Sequence, residues 1–178
     1  MATQESTSRE FGSVEENDLR LDVEKSEQII DALNQDLADT YVLYHQVKKH
    51  HWNVEGAEFR DLHLFLGEAA ENAEAAADRI AERAQALGGT PISGPAEQAD
   101  HASVEYEGQE VWDIRTSLEH DLEMYGDIIE SLRDHVELAE NLGDHATAQI
   151  LREILVTTEE DAHHIEHYLG DDTLVTLD

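Results

Sequence analysis

The sequence predicts an all-α protein built as a four-helix bundle, and three observations lead there. Apolar residues recur every three or four positions in four separate stretches, the spacing of one helical face. The 178 residues include only 2 Pro and 10 Gly, while Ala, Glu, Leu and Asp abound, a composition that favours helix. Gly56, Gly88, Gly89, Pro91, Gly94, Pro95 and Gly143 fall between the periodic stretches, where helices are expected to stop.

Residues 1–24 show no sustained period and carry seven acids and two arginines; they read as an N-terminal tail. A first long helix, from about Ser26 to Trp52, carries Ile30, Leu33, Leu37, Tyr41, Tyr44 and Val47 on one face. Gly56 sits in the turn that follows. A second helix, about Glu58 to Leu87, buries Leu62, Leu66, Ala69, Ala73, Ala76, Ile80, Ala84 and Leu87, and Gly88 and Gly89 end it. Residues 88–108 form a longer connection with room for a short helix near Ala96 to Ala102. A third long helix, about Glu110 to Asn141, buries Val111, Leu118, Leu122, Tyr125, Ile129, Leu132 and Val136. Gly143 ends it, and Asp144 is placed to cap the fourth, which runs to about Leu169 and buries Leu151, Leu155, Ala162 and Ile165. Residues 171–178 read as a C-terminal tail, which makes 25–170 a single bundle domain about 40 Å long at the helical rise. Short links make the first and last pairs antiparallel hairpins, and the long middle connection can cross the bundle.

Composition excludes several functions. There is no Cys, so disulfides and thiolate metal sites are ruled out. No apolar run exceeds four residues, so no membrane span is expected, and the acidic N-terminus is unlike a secretory signal; a cytoplasmic location is the expectation. The 42 acids against 11 basic residues give a formal net charge of −31. A folded protein with so acidic and lysine-poor a surface suits a halophilic cytoplasm, where salt screens the self-repulsion. Such a surface opposes nucleic-acid binding, which needs a basic stripe.

The chemistry concentrates in the run HHWNVEGAEFRDLH, His50 to His63. His51 continues the apolar stripe of the first helix, and His63 flanks that of the second. From His63 the same helical face continues through Gly67, Glu71, Glu74, Asp78 and Glu82, a stripe almost wholly of metal-binding type. Imidazole nitrogen with carboxylate oxygen suits iron, manganese or zinc, and an acidic site without thiolates points to redox-active iron. His63 and Asp78 lie roughly 22 Å apart along one helix, so they cannot share an ion within one chain. They can meet only where two such helices run antiparallel across a twofold axis, the histidines from one subunit and the acids from its mate.

That run, together with DRIAERAQALGGTP, resembles the signature of the Dps family, the mini-ferritins of starved cells, and the charge is most similar to its haloarchaeal members. The resemblance implies a ferritin-like four-helix bundle with the long crossover between the second and third long helices. It also implies a hollow homododecamer with ferroxidase sites between twofold-related subunits. Its ligands fall on His51, His63, Asp78 and Glu82, with Trp52 beside them to intercept oxidising equivalents. Iron would be the bound metal, with Fe²⁺ and hydrogen peroxide as substrates and a stored ferric mineral as product. Glu71 and Glu74 become candidates for seeding that mineral. The family's acidic threefold pores point to Asp144 and Glu153. The sequence departs from the family twice: Gly67 stands where an acid often follows the second histidine, and the lysine-rich N-terminal arm is missing, so no direct DNA binding is expected. In the last helix, EEDAHHIEHYL holds Glu160, His163, His164 and His167. Glu160 and His163 read as the E-x-x-H of a di-iron bundle, serving either an accessory iron path or a solvated terminus. A larger ferritin-type cage with sites inside each bundle would need a second such motif, and a non-enzymatic acidic bundle would leave the His51/Trp52/His63 group unexplained.

Overall fold

The computed structural model describes residues 7–170. Its elements are α1 (Val23–Asn53), α2 (Phe59–Ala86), the short α3 (Pro95–His101), α4 (Ile114–Leu142) and α5 (His145–Leu169). No strand occurs among the described residues. The helix α1 packs along α2 and α4 along α5, and the ring is closed by α1 against α4 and α2 against α5. Leu33, Leu37, Val47, Leu66, Ile80, Tyr125, Leu132, Leu151 and Ile165 fill the centre. The inward face of α2 is mostly alanine, with Ala69, Ala70, Ala73, Ala77 and Ala84 all buried. Those small side chains let α1 and α2 approach closely.

The crossover runs the full length of the bundle, and α1 holds it by polar side chains. Asn34 donates to Thr90 O and accepts from Ile92 N; Asp39 accepts from Ser103 N and Val104 N; Gln46 accepts from Glu107 N. Each pairing satisfies a loop amide or carbonyl that burial would otherwise strand. The chain thus leaves α2 near the start of α1 and enters α4 near the end of α1. This is the crossover connection expected from the sequence.

The glycine stops behave as predicted. Gly88, at φ 95°, and Gly89 send their amides back to Gln85 O and Ala84 O, a Schellman ending. Asp113 and Asp144 cap α4 and α5 by accepting from Thr116 N and Thr147 N. The Asp113 cap is why α4 begins at Ile114 and not at Glu110. Val111, expected in the core, is 62% exposed as a result.

The N-terminal reading also changes. Residues 7–22 lie against the bundle. Arg9 donates to Gly89 O, Glu15 N to Gly88 O and Asn17 Nδ2 to Leu87 O, while Val14 and Leu21 pack on the core. A Cβ on Gly88 would sit 2.3 Å from Glu15 O, so glycine is required there both for its φ and for this contact. Such a strap leaves no periodic pattern in the sequence, because it is neither helix nor strand.

Candidate metal centre

His51 lies in the last turn of α1 and His63 in the second turn of α2, and the short link between those helices brings them together. Each ring nitrogen Nδ1 meets the other residue's backbone carbonyl, His51 Nδ1 to His63 O at 2.7 Å and His63 Nδ1 to His51 O at 2.9 Å. A carbonyl only accepts, so each Nδ1 carries a proton, and in the neutral ring the lone pair then lies on Nε2. This outer-shell bond is the one that fixes tautomer and ring direction in metal-binding histidines. The rings stack at 3.9 Å and 20°, and Phe59 continues the stack on His63 at 5.1 Å. Burial holds His51 below the ordinary imidazole value, and His63 and Lys48 add to this against the opposing backbone hydrogen bond. His51 is therefore neutral near pH 7, the form that binds a metal ion.

Gly67 explains itself here. A Cβ at this position would stand 3.1 Å from His51 Cε1 and 3.3 Å from His51 Nδ1. The position is bare because the His51 ring lies over it. Trp52, 69% exposed, follows at the helix end with Lys48 Nζ 5.9 Å from its ring centroid. Phe59 and Leu64 are also exposed, at 47% and 59%, so the histidine pair is set in an apolar surface.

The carboxylates stand elsewhere. Glu71, Glu74, Asp78 and Glu82 are all exposed along α2, which is one unbroken helix from Phe59 to Ala86. Within one chain Asp78 and Glu82 do not join His51 and His63. Among the described residues no group of three or more His, Asp or Glu gathers to hold a metal ion.

The α5 cluster departs from the E-x-x-H reading. Glu160, His163, His164 and His167 are all exposed, and Asp161, Ala162 and Ile165 face inward instead. His167 Nε2 touches His163 Nε2 at 3.0 Å, and His164 packs edge-on to Phe65. The interior at this level holds Thr40, Asn72, Tyr125 and Asp161, one carboxylate and no imidazole, which is too little for a di-iron site inside the bundle.

The two pore candidates differ. Glu153 is exposed and paired with Arg79 at 2.5 Å. Asp144 is buried; its two oxygens take both contacts of Arg83 Nη2 as well as Thr147 N and Thr147 Oγ1. Burial would raise its pKa, but Arg83 and Thr147 outweigh that and hold it low. With every lone-pair direction used, Asp144 is a helix cap and not a free acid for a passing cation, so its assignment to a pore is corrected.

One cluster went unread in the sequence. His50 turns about 100° from His51 and into the protein, where Nδ1 meets Asp121 at 2.7 Å and Nε2 meets Glu107 at 2.6 Å. Glu107 also accepts from Lys49 at 2.5 Å and pairs with His120 at 2.6 Å. Burial alone would lower the His50 pKa; the two carboxylates reverse that and raise it. The network ties the end of α1, which bears His51, to the crossover and α4. Its signal in the sequence was the position of His50 on the Leu43–Val47 face. His120 and His135 are half-buried partners of Glu107 and Asp36.

Comparison with known proteins agrees with this fold. The ferritin-like domain family matches residues 30–175. The chain is 65% identical to the DNA protection during starvation protein of Halobacterium salinarum, over 99% of this chain and 97% of that one. A crystal structure of an archaeal Dps homologue from the same organism superposes with a TM-score of 0.94, covering 98% of each chain. The Dps protein of Vibrio cholerae O1, described as a member of a broad superfamily of ferritin-like diiron-carboxylate proteins, is 26% identical with a TM-score of 0.82, covering 86% of this chain and 96% of that one. With its crossover bundle, its histidine pair at the α1–α2 turn and these likenesses, the chain belongs to the Dps family of ferritin-like proteins.

Proposed function

We propose that the protein is an iron-oxidising and iron-storing cage of twelve copies, with ferroxidase sites shared between twofold-related subunits. The observation that carries this reading is the His51–His63 pair. Two Nε2 lone pairs are held in place by reciprocal backbone hydrogen bonds, on an exposed apolar surface, with the matching acids roughly 22 Å down the same helix. Such a half-site is completed by a second copy, whose Asp78 and Glu82 arrive from an antiparallel α2.

In this reading Fe²⁺ is the substrate. His51 and His63 offer imidazole nitrogen, and Asp78 and Glu82, one turn apart, offer hard carboxylate oxygen. The carboxylates favour the ion more as its charge rises from two to three, which drives oxidation. Two ferrous ions give one electron each to hydrogen peroxide, the preferred oxidant. The O–O bond breaks, and two protons complete two waters. Delivering both electrons together avoids releasing hydroxyl radical, and that avoidance is the protective purpose. Trp52, exposed beside the pair, can give up an electron to an oxidant that escapes. Glu71 and Glu74 concentrate the ferric product and seed the mineral, and Glu153 is the remaining candidate for iron access. The net charge of −31 and the acidic, lysine-free run of residues 1–24 favour protection by chemistry, without direct DNA binding, in a salt-rich cytoplasm. No helix among the described residues is long and apolar enough to cross a membrane.

The test is complementation between dead subunits. A His51→Ala/His63→Ala chain and an Asp78→Ala/Glu82→Ala chain should each assemble, at a mass near that of twelve 20.0 kDa chains, and each should oxidise Fe²⁺ poorly. Co-assembled, every mixed twofold pair regains one complete site, so activity returns. A site built within one chain gives no recovery, and that result would sink the reading.

A further inference from the structure

In the middle of the bundle, away from the histidine pair, a cleft of about 120 Å³ opens between α2 and α5. Every long helix contributes to it: Thr40 from α1, Asn72 from α2, Tyr125 from α4 and Asp161 from α5. Leu43, Ala73 and Ile128 are among its apolar lining. The exposed Arg79–Glu153 pair, also part of the lining, marks where it reaches the surface.

Two polar groups at this cleft are buried and short of partners. Tyr125 is 1% exposed, and its hydroxyl has no hydrogen-bond partner. The large majority of buried side-chain polar atoms are satisfied, by protein or by ordered water. Asp161 is 6% exposed, and its two oxygens share one donor, Asn72 Nδ2, at 3.2 Å each. A carboxylate can accept about four hydrogen bonds, so most of its capacity is unused. Burial pushes this carboxyl up to about 6, as expected of an acid with too little solvation.

Size and charge narrow the occupant. The volume holds roughly four molecules at ~30 Å³ apiece, too few for an organic cofactor. A metal ion would find one unpaired carboxylate, Asp161, since Glu153 is taken by Arg79, and no imidazole. An anion would face Asp161, and the only guanidinium in the lining, Arg79, is already paired. We infer that the cleft is a binding site for a small uncharged molecule that both donates and accepts hydrogen bonds, bridging the Tyr125 hydroxyl and the Asp161 carboxyl. Water and hydrogen peroxide share that chemistry. Peroxide as occupant rests on the oxidant proposed above, and water does not.

Iron-free crystals of the wild-type protein, at a resolution that shows ordered water, test this without any oxidation chemistry. Density is expected within hydrogen-bonding distance of both Tyr125 Oη and Asp161. In a peroxide soak, paired-oxygen density at that place identifies peroxide as a ligand; unchanged single peaks identify water, and either outcome supports the site. In Tyr125→Phe, which removes one of its two partners, the bridging peak should be lost or fall sharply in occupancy. A wild-type cleft without density that takes up xenon under pressure, as dry apolar cavities do, overturns the inference. So does a direct hydrogen bond from Tyr125 Oη to the protein.

Discussion

Two histidine pairs end two helices of this molecule, and they are built in opposite ways. His51 and His63 come from different helices, and each locks the other's Nδ1 to a backbone carbonyl. Their Nε2 atoms are thereby fixed and left open. His163 and His167 come from one helix, lie exposed, and bring their Nε2 atoms to 3.0 Å from one another. Nothing but that mutual contact and the loose approach of Glu166, 3.4 Å from His163 Nδ1, orients them. Both pairs are of metal-binding type by residue. Only the first has the outer-shell bonds that hold a ligand nitrogen in one direction before the ion arrives.

The sharpest way to break this contrast is to remove each pair. His63→Ala should slow Fe²⁺ oxidation by more than the roughly tenfold that loss of an outer-shell partner costs, with the assembly intact by size exclusion. His163→Ala with His167→Ala should leave the rate within about twofold of wild type, where a surface pair of no catalytic consequence belongs. Equal losses in stopped-flow traces of the two variants would erase the distinction.

A gentler intervention leaves both rings in place and disturbs only the lock. Gly67→Ala puts a methyl 3.1 Å from His51 Cε1, so the ring must shift by a few tenths of an ångström. The helix itself gains up to about 1 kcal/mol from losing a glycine. Melting temperature should therefore hold or rise while the oxidation rate falls several-fold. A stable variant with an unchanged rate would show that the His51 ring has slack.

The smallest effect separates histidines tied to carbonyls from those tied to carboxylates. His51 titrates below the ordinary imidazole value, whereas His135, bonded to buried Asp36 at 2.8 Å, titrates above it. For His135, burial pulls down and Asp36 more than compensates. A raised value means that the folded state holds the proton more tightly. Its stabilising contribution is complete below about pH 6.5 and fades as pH climbs through the raised value. Thermal melts at fixed high salt should show wild type losing stability from pH 6 to pH 8, and His135→Gln losing less.

The helices were legible because their information is local. Period, glycine stops and cap residues all lie within a few positions of what they determine, and α1, α2 and α5 start or end within three residues of expectation. The distance argument along α2 was legible for the same reason, since a helix is a ruler. What failed to show was relational. Glu160 and His163 have the right spacing for a di-iron motif, but the rotation of α5 about its axis is set by what Asp161, Ala162 and Ile165 pack against. Asp144 was seen as a cap but not as the partner of Arg83, which is 61 positions away. His50 looked like a member of the His51 motif, and its carboxylates come from the crossover and α4. Gly67 seemed a missing ligand until the His51 ring was seen lying over it.

The strap of residues 7–22 has a consequence for reach. A tail hinged at Val23 could sweep a wide volume around the bundle, since each free residue adds up to about 3.5 Å. This one is moored to the carbonyls of Leu87, Gly88 and Gly89, so roughly 55 Å of tether is wound in before any part of it can extend. A label attached within the strap is held at a fixed post by the end of α2. It cannot roam from the start of α1. For anyone attaching a label to the strap, that difference separates a fixed attachment point from a wandering one.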